Sequence, residues 1–180
     1  ALILAPGVPL THPKPHPVVE AAKRAGVEIM GDIELLWRTC PEATYIGITG
    51  TNGKSTTTAL IGHILQQTWQ QGTVAVGGNL GTPVLELPML GAGGVYVLEL
   101  SSYQIDLLAK MRLDVGVLLN LSPDHLDRHG TMEQYARVKE SMIGRARKKV
   151  IGVDDPYSIA IASRAAGAVT VSGFGNASAD

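Results

Sequence analysis

Residues 45–56 read YIGITGTNGKST and join three kinds of local pattern in one stretch. An apolar run of strand type comes first, a loop with two glycines follows, and a helical pattern with Leu60, Ile61, Ile64 and Leu65 on one face begins after Lys54. This order points backbone N–H groups and the positive end of a helix at a polyphosphate, while Lys54 adds a charge and Ser55 a hydroxyl ligand for Mg²⁺. The stretch therefore predicts a phosphate-binding loop made of Gly50, Thr51, Asn52, Gly53, Lys54, Ser55 and Thr56.

The loop departs from the common G-x-x-x-x-G-K-[ST] spacing, because Ile48 occupies the position of the first glycine. We interpret it as the shorter form G-x-x-G-K-S, which starts at Gly50. The alternative is an ordinary connection between a strand and a helix, with an exposed lysine. Two glycines with Lys-Ser-Thr in this context favour nucleotide binding.

Short apolar runs alternate with helical patterns on both sides of the loop, which is typical of α/β proteins. Most of these runs show no polar alternation, as expected of parallel strands covered on both faces. The predicted fold is therefore α/β, a mostly parallel sheet with helices on both faces and a phosphate-loop type of mononucleotide site. Eight strands are predicted, at Leu2–Leu4, Val27–Met30, Tyr45–Thr49, Val74–Val76, Val95–Leu100, Val115–Leu119, Val150–Val153 and Val169–Val171.

A domain boundary is expected near Pro41, which breaks the chain before the strand that leads into the loop. Residues 1–40 would be the C-terminal remainder of one α/β domain, and residues 41–180 an incomplete central nucleotide-binding domain. A unit of 40 residues is too small to stand alone. Because the chain also starts at Ala1 without an initiator methionine, we expect a piece of a longer chain.

The composition argues against several classes of protein. The 180 residues include 15 Lys and Arg against 16 Asp and Glu, a net charge of −1, whereas nucleic-acid-binding proteins are usually strongly basic. The longest apolar stretches, Leu2–Ala5 and Val115–Leu119, are far shorter than the roughly 20 residues that span a bilayer. The single cysteine, Cys40, cannot form an internal disulfide. We expect a cytoplasmic globular protein, a monomer that binds neither nucleic acid nor membrane.

A carboxylate ends one of the apolar runs, because Glu99 closes the stretch VYVLE. An unpaired charge buried there would cost several kcal/mol, so a buried Glu99 needs a cation. The alternative is an exposed glutamate at the end of a strand. Since a neighbouring strand commonly supplies an acidic Mg²⁺ ligand in phosphate-loop folds, we interpret Glu99 as a metal ligand opposite Ser55.

A lysine lies on the apolar stripe of a predicted helix. Residues 131–134 have the spacing of a capping box, which predicts a helix from Met132 to about Lys148. Its stripe at helical spacing comprises Met132, Ala136, Lys139, Ile143 and Ala146. Lys139 either extends its stem to bring the ammonium to water or has a buried role near anionic groups.

Three other polar residues lie after predicted strands, where ligands bind in open α/β sheets. His125 is either a metal or phosphate ligand or an ordinary turn residue, and the neighbouring Asp124 is an alternative helix cap. Asn79, in the stretch GGNLG, belongs to what could be only a flexible turn. Ser101 directly follows the strand of Glu99 and either supplies a donor beside the metal or caps a helix.

Taken together, these segments resemble the Mur ligases over essentially the whole chain. The matching motifs are GTNGKST at 50–56, GGN-x-G at 77–81, LELSSYQ at 98–104 and N-x-x-x-DH-x-DRHG at 120–130. LELSSYQ is the most discriminating of them and favours the D-glutamate-adding branch of the family. The resemblance implies a central ATPase domain preceded by the end of an N-terminal UDP-substrate domain, with the C-terminal domain absent from this chain.

The resemblance also implies a reaction. ATP would phosphorylate the alanyl carboxylate of UDP-MurNAc-L-alanine, and the amine of D-glutamate would attack the acyl phosphate to form an amide in peptidoglycan precursor synthesis. Lys54 would contact the outer phosphates, and Ser55 with Glu99 would bind one Mg²⁺. Asn79 and Ser101 would orient the nucleotide substrate or the metal shell.

Two further roles come from the family alone. His125 would bind a second Mg²⁺, and Lys139 would react with CO₂ to form a carbamate that supplies an anionic oxygen ligand. Catalytic roles are thus expected for Lys54, His125 and Lys139. Alternative functions are another Mur-type or folylpolyglutamate-type ligase, or a non-catalytic nucleotide-binding switch, which would need the loop and the Mg²⁺ ligand but neither His125 nor a buried lysine.

Overall fold

The computed structural model describes residues 1–174, so the end of the predicted 41–180 domain lies outside the described part. The first 30 residues form a small parallel βαβ unit. It consists of β1 (Leu2–Ile3), α1 (Pro17–Arg24) and β2 (Ile29–Met30), and Pro17 begins the helix as its pattern predicts. Within residues 1–174, no helix is long and apolar enough to cross a membrane.

The rest of the described chain builds a six-stranded sheet in the order β4-β5-β3-β6-β7-β8, with every neighbouring pair parallel. Its strands are β3 (Thr44–Thr49), β4 (Val74–Gly78), β5 (Val95–Glu99), β6 (Leu113–Leu118), β7 (Ala146–Gly152) and β8 (Val169–Val171). Because all strands run the same way, the loops after β3, β5 and β6 meet at one edge of the sheet. All eight predicted strands exist, and the parallel arrangement is confirmed.

Helices cover both faces of this sheet, which confirms the predicted fold class. One face carries α3 (Lys54–Thr68), whose Ile61 and Leu65 pack against Ile48 and Val97. The other face carries the larger core, to which the remaining helices contribute. These are α2 (Asp32–Thr39), α4 (Ser102–Ile105), α6 (Met132–Gly144) and α7 (Pro156–Arg164), whereas the short helix α5 (Leu126–His129) contacts α6.

Two details of the helical patterns are wrong. The helix predicted to reach Lys148 ends at Gly144, and Ala146 belongs to β7, where it pairs with Leu113 of β6. Pairing with a neighbouring strand therefore overrides the continuing helical periodicity. On α3, the pattern suggested that Leu60 and Ile64 share the buried face of Ile61 and Leu65, but they are 56% and 50% exposed.

A fully buried carboxylate ties α2 to the turn after α4. Glu34 accepts hydrogen bonds from the backbone N–H groups of Ala109, Lys110 and Met111 at 2.9–3.1 Å, and from Nε of Arg38 at 3.0 Å. The charge is therefore compensated at both oxygens, by three backbone donors and by a guanidinium. This contact holds α2 against the larger core, whereas Leu4 and Val19 of the βαβ unit form a separate cluster with Leu107.

Replacing Glu34 with alanine is expected to lower the free energy of unfolding by about 3–5 kcal/mol, because buried backbone donors and Arg38 lose their partner. Urea unfolding of the chain at neutral pH measures this. The control is Glu20→Ala, which removes an exposed glutamate from α1. Equal unfolding midpoints for the two variants would show that the buried carboxylate contributes no stability.

Candidate functional site

The predicted phosphate loop lies between the end of β3 and the start of α3. Gly50 has φ of 154° and Gly53 has φ of 81°, so both glycines adopt backbone conformations that other residues rarely take. A Cβ at Gly50 would also come within 3.0 Å of Leu119. The first bond of the helix runs from the N–H of Thr57 to the carbonyl of Gly53. The N–H groups of Lys54, Ser55 and Thr56, in the first turn of the helix, have no partner within the helix and can bind an anion at the loop.

A residue without a predicted role holds the loop in shape. The carbonyl and side-chain oxygens of Asn120 accept the N–H groups of Thr51 and Asn52, both at 2.9 Å, and Nδ2 of Asn120 donates to the carbonyl of Asn52 at 3.1 Å. Oγ1 of Thr51 accepts the N–H of Ser122 at 3.0 Å. The segment after β6 therefore preorganises the loop. The signals in the sequence were the position of Asn120 just beyond a predicted strand and its place at the start of the motif at 120–130.

A cavity of about 250 Å³, which we call the helix-side cavity, lies between the first turns of α3 and the end of β5. It is lined by Ser55, Thr58, Ala59, Val76, Gly77, Leu80, Gly81, Thr82 and Glu99. Glu99 is 1% exposed, which excludes the alternative of an exposed glutamate. Its Oε1 accepts a hydrogen bond from Nδ2 of Asn79 at 3.0 Å. Within residues 1–174, no side-chain cation lies within 4 Å of the Glu99 carboxylate.

The helix-side cavity has the donors that a hard cation prefers. Ser55 offers a hydroxyl and Glu99 a carboxylate, and Mg²⁺ is usually bound by one or two such oxygens together with waters and phosphates. Oγ1 of Thr58 is buried there without a hydrogen-bond partner. A buried hydroxyl without a partner is costly, and a water of a hydrated ion would satisfy it.

A second cavity of about 230 Å³, the lysine cavity, lies beside the loop. It is lined by Lys54, Asn79, Ser101, Ser102, Tyr103, Asp124, His125, Tyr135 and Lys139. The two cavities adjoin through Lys54 and Ser55, which are consecutive, and through the hydrogen bond of Asn79 to Glu99. The structure thus brings the predicted site residues together at these two cavities. Ser55 and Glu99 line the helix-side cavity, whereas His125 and Lys139 line the lysine cavity.

Lys139 is 1% exposed, so its ammonium does not reach water and the extended-stem alternative is wrong. Its Nζ donates to Oγ1 of Thr49 at 3.1 Å and to the carbonyl of Gly50 at 2.9 Å. It also lies 4.8 Å from the ring centre of Tyr135. The lysine therefore connects α6 to the start of the phosphate loop.

Burial lowers the pKa of Lys139 to about 7, and the nearby charge of Lys54 acts in the same direction, while Asp124 and Glu99 oppose it. With a pKa near neutrality, a substantial fraction of the side chain is an uncharged amine at pH 7. An uncharged amine is a nucleophile, whereas an ammonium is not. The site can therefore hold a reactive lysine at physiological pH.

His125 caps α5 in the left-handed conformation, with φ of 51°. It is the only residue other than glycine with a positive φ in the part of the chain that the structure describes. Its Nε2 lies 3.4 Å from Oδ2 of Asp124, and its ring packs on Tyr103 with centroids 5.1 Å apart. Since the cap is His125 itself, Asp124 is not the helix cap. Backbone strain of this kind is often found at functional sites.

Ser101 caps the helix α4, which was the structural alternative for this residue. Its Oγ accepts the N–H of Gln104 at 3.3 Å, and Oε1 of Gln104 accepts the N–H of Ser101 at 3.0 Å, which together form a capping box on α4. The residue nevertheless lines the lysine cavity. Its role toward a substrate, like that of Asn79, stays a prediction.

Three aromatic side chains without a predicted role lie at or beside the lysine cavity. Tyr103 and Tyr135 line it directly, and the ring of His129 lies between them at 5.7 and 5.4 Å. Burial lowers the pKa of His129 to about 4, so the ring is neutral at pH 7 and can pair with Oγ of Ser102 at 2.9 Å. A tyrosine one turn before Lys139 on the buried stripe was a signal that could have selected Tyr135.

Within residues 1–174, no group of three or more His, Cys, Asp and Glu side chains could hold a metal ion. A metal at this site would therefore depend on serine, single carboxylates and ligand phosphates rather than on a ready-made protein cage. This arrangement is typical of sites that bind the metal together with a nucleotide.

Comparison with known sequences agrees with the resemblance to the Mur ligases. A sequence model of the Mur ligase middle domain matches residues 48–180. A protein of Nitrobacter winogradskyi named UDP-N-acetylmuramoylalanine–D-glutamate ligase is 55% identical over 171 residues, 91% of this chain and 36% of its own length. An Agrobacterium fabrum protein of the same name is 55% identical over 168 residues, 91% of this chain and 35% of its own. The chain thus spans about a third of these relatives.

Solved structures show a similar fold. The ligase MurF of Thermotoga maritima, in complex with ADP, matches 77% of this chain and 34% of its own with a TM-score of 0.59 and 23% identity. A UDP-N-acetylmuramate:L-alanyl-gamma-D-glutamyl-meso-diaminopimelate ligase of Neisseria matches 86% of this chain and 53% of its own, with a TM-score of 0.60 and 18% identity. At these identities the likeness concerns the fold alone.

Proposed function

Because this chain belongs to the Mur ligase family, we propose that it is the ATP-using part of a ligase that joins D-glutamate to UDP-N-acetylmuramoyl-L-alanine. One observation supports this most directly. The phosphate loop, the buried Glu99 and the buried Lys139 converge at one edge of a parallel sheet, in two adjoining cavities. A nucleotide-binding switch would need the phosphate loop and the Mg²⁺ ligand but not the buried Lys139.

The proposed reaction has two steps. An oxygen of the alanyl carboxylate attacks the γ-phosphorus of ATP, and the bond from that phosphorus to the bridging oxygen breaks, releasing ADP. The amine of D-glutamate then attacks the acyl carbon, phosphate leaves, and the amine gives up a proton. The acyl phosphate thus provides the leaving group that a free carboxylate lacks. The protein mainly holds the reactants in place and compensates charge.

Residues of this chain have defined tasks in the proposal. Residues 50–56 bind the polyphosphate of ATP. Nζ of Lys54, which donates to the carbonyl of Thr51 at 2.9 Å in this structure, turns from that carbonyl and donates to the outer phosphates. Asn79 and Ser101, at the rim of the lysine cavity, orient the nucleotide substrate. These tasks would place the acceptor carboxylate beside the lysine cavity.

The residues present fit Mg²⁺ as a cofactor, because the helix-side cavity combines Ser55, Glu99 and the partnerless hydroxyl of Thr58. Ser55 and Glu99 would hold one ion, and His125 with a carbamate on Lys139 would hold a second. When bound, Mg²⁺ neutralises phosphate charge and polarises the phosphorus–oxygen bond. A carbamate forms when the uncharged amine of Lys139 attacks CO₂ and releases a proton, and the lowered pKa of Lys139 supplies that uncharged amine.

The proposal includes the assignment of domains and the setting. Residues 1–40 would belong to the domain that binds the UDP substrate, and residues 41–180 to the central ATP-binding domain. We further propose that the protein acts in the cytoplasm as a monomer on small-molecule substrates. The single cysteine, Cys40, agrees with a reducing compartment.

A chimera tests the proposed function. In the Agrobacterium fabrum relative, the region matched over 168 residues is replaced by its counterpart from this chain. We expect the chimera to form the D-glutamyl product from UDP-MurNAc-L-alanine, D-glutamate, ATP and Mg²⁺, as detected by mass spectrometry. The same chimera with Lys54→Ala is the inactive control. A chimera that melts cooperatively and binds ATP, yet forms no product, would contradict the proposed ligation.

A further inference from the structure

The small βαβ unit is attached to the rest of the protein by an arginine beside the candidate site. Nη1 of Arg128 donates to the carbonyl of Gly7 at 3.0 Å, and its Nη2 donates to the carbonyls of Pro6 and Val8 at 3.1 and 2.6 Å. Arg128 thus holds three successive carbonyls of the loop after β1. A guanidinium is suited to this contact because its donors form a rigid planar fork, which a lysine lacks.

The same guanidinium packs on the aromatic wall of the lysine cavity. Cζ of Arg128 lies 4.8 Å from the ring centre of Tyr103, and that ring lies 5.1 Å from the ring of His125. Arg128 and His125 also share the short helix α5, since the N–H of Arg128 donates to the carbonyl of His125 at 3.0 Å. One residue therefore connects the loop at residues 6–8 with two residues that line the cavity: Arg128 contacts Tyr103 through its side chain and His125 through its backbone N–H.

Other contacts also attach the βαβ unit to the rest of the described chain. Leu107, in the turn after α4, packs against Leu4 and Val19, and its carbonyl accepts the N–H of Gly31. Glu28 pairs with Arg38 at 2.7 Å and with Lys110 at 3.8 Å. These contacts lie in the turn after α4 or on α2, and neither segment lines the lysine cavity. Arg128 alone among these attachments contacts a residue that does.

We propose that Arg128 is a positioning residue that couples the loop at residues 6–8 to His125 and Tyr103. Through it, a ligand that orders His125 also orders the loop at residues 6–8, and the reverse holds because such coupling is reciprocal. This inference rests on the proposed function, in which residues 50–56 bind ATP and residues 1–40 belong to the domain that binds the UDP substrate. Arg128 would then ensure that the acceptor side and the ATP side of the site are ordered together.

Hydrogen exchange of the 180-residue chain, read by mass spectrometry, tests the coupling without any ligation assay. In the ligand-free chain, we expect Arg128→Ala to speed exchange at least tenfold both in residues 6–8, at the amides of Gly7 and Val8 because Pro6 has none, and at the amides of residues 128–130. These amides carry the hydrogen bonds of α5. The control is Arg137→Ala, which removes an exposed arginine from α6. Faster exchange confined to residues 6–8 would overturn the coupling.

A second measurement adds Mg·ATP, whose binding is seen as protection of residues 50–56. In the unaltered chain we expect protection to extend through residues 128–130 to residues 6–8. In Arg128→Ala, protection at residues 50–56 should remain and that at residues 6–8 should be lost, with Arg128→Lys intermediate. A purely structural role would leave the transmitted protection unchanged in the variant, which would overturn the proposal.

The two measurements separate this inference from the proposed function. Absence of protection at residues 50–56 in the unaltered chain would count against ATP binding, and hence against the proposed function. The coupling would then be decided by the ligand-free comparison, which needs no nucleotide. Protection at residues 50–56 and 128–130 that never reaches residues 6–8 would overturn the coupling while leaving ATP binding intact.

Discussion

Replacing Lys54 with alanine is expected to weaken the binding of Mg·ATP to the 180-residue chain about 10- to 150-fold. The reason is the loss of a charge-assisted contact to phosphate, which contributes about 1.5–3 kcal/mol. In the chimera, ligation should fall by two or more orders of magnitude, because the charge that develops during phosphoryl transfer loses its compensation. Titration calorimetry measures the first effect and product formation the second.

The matched control for Lys54 is Lys23→Ala, which removes an exposed lysine from α1 and replaces it with a good helix former. Both variants should unfold at nearly the same temperature, because Lys54 makes one hydrogen bond, to a loop carbonyl. If the Lys54→Ala variant binds ATP as tightly as the Lys23→Ala variant, Lys54 does not contact the phosphates. The bland alternative for residues 50–56, an ordinary connection with a lysine, would then be correct.

Replacing Lys139 with alanine in the chimera is expected to lower ligation at least 100-fold. Formate or acetate should restore part of the lost rate, because a small carboxylate can occupy the position left by a carbamate oxygen. The physical basis is the burial of Lys139 in a cavity that also contains Lys54 and His125, where an anionic oxygen would be compensated. Product formation at increasing concentrations of the acid measures the rescue.

A spectroscopic measurement accompanies this variant. After incubation of the 180-residue chain with ¹³C-bicarbonate, a carbamate carbon should be detected by NMR, and Lys139→Ala should abolish the signal. Lys148→Ala is the control, since Lys148 is exposed on β7. Full ligation by the Lys139 variant, or loss of ligation with neither rescue nor a carbamate signal, would leave Lys139 as a cation that merely anchors the loop at Gly50.

The structural features that could be predicted from the sequence are those that residues close together in the chain specify. The loop at residues 50–56 was recognisable because its glycines, its lysine and the two flanking elements are contiguous. The parallel strands were recognisable because burial on both faces demands unbroken apolar runs. The buried positions of Met132, Ala136, Lys139 and Ile143 followed from the helical period. In each case the determining interaction lies within a few residues, so local patterns sufficed.

Other features depend on contacts between segments that are distant in the chain. The helix α6 ends at Gly144 because the next residues pair with β6, and no helical period records that competition. Likewise, Asn120 holds Asn52 across 68 positions and Arg128 holds Val8 across 120. Such hydrogen bonds form only when the folded chain brings the loops after β1, β3 and β6 together. The free energy of these contacts therefore comes from tertiary packing, which leaves no periodic trace in the sequence.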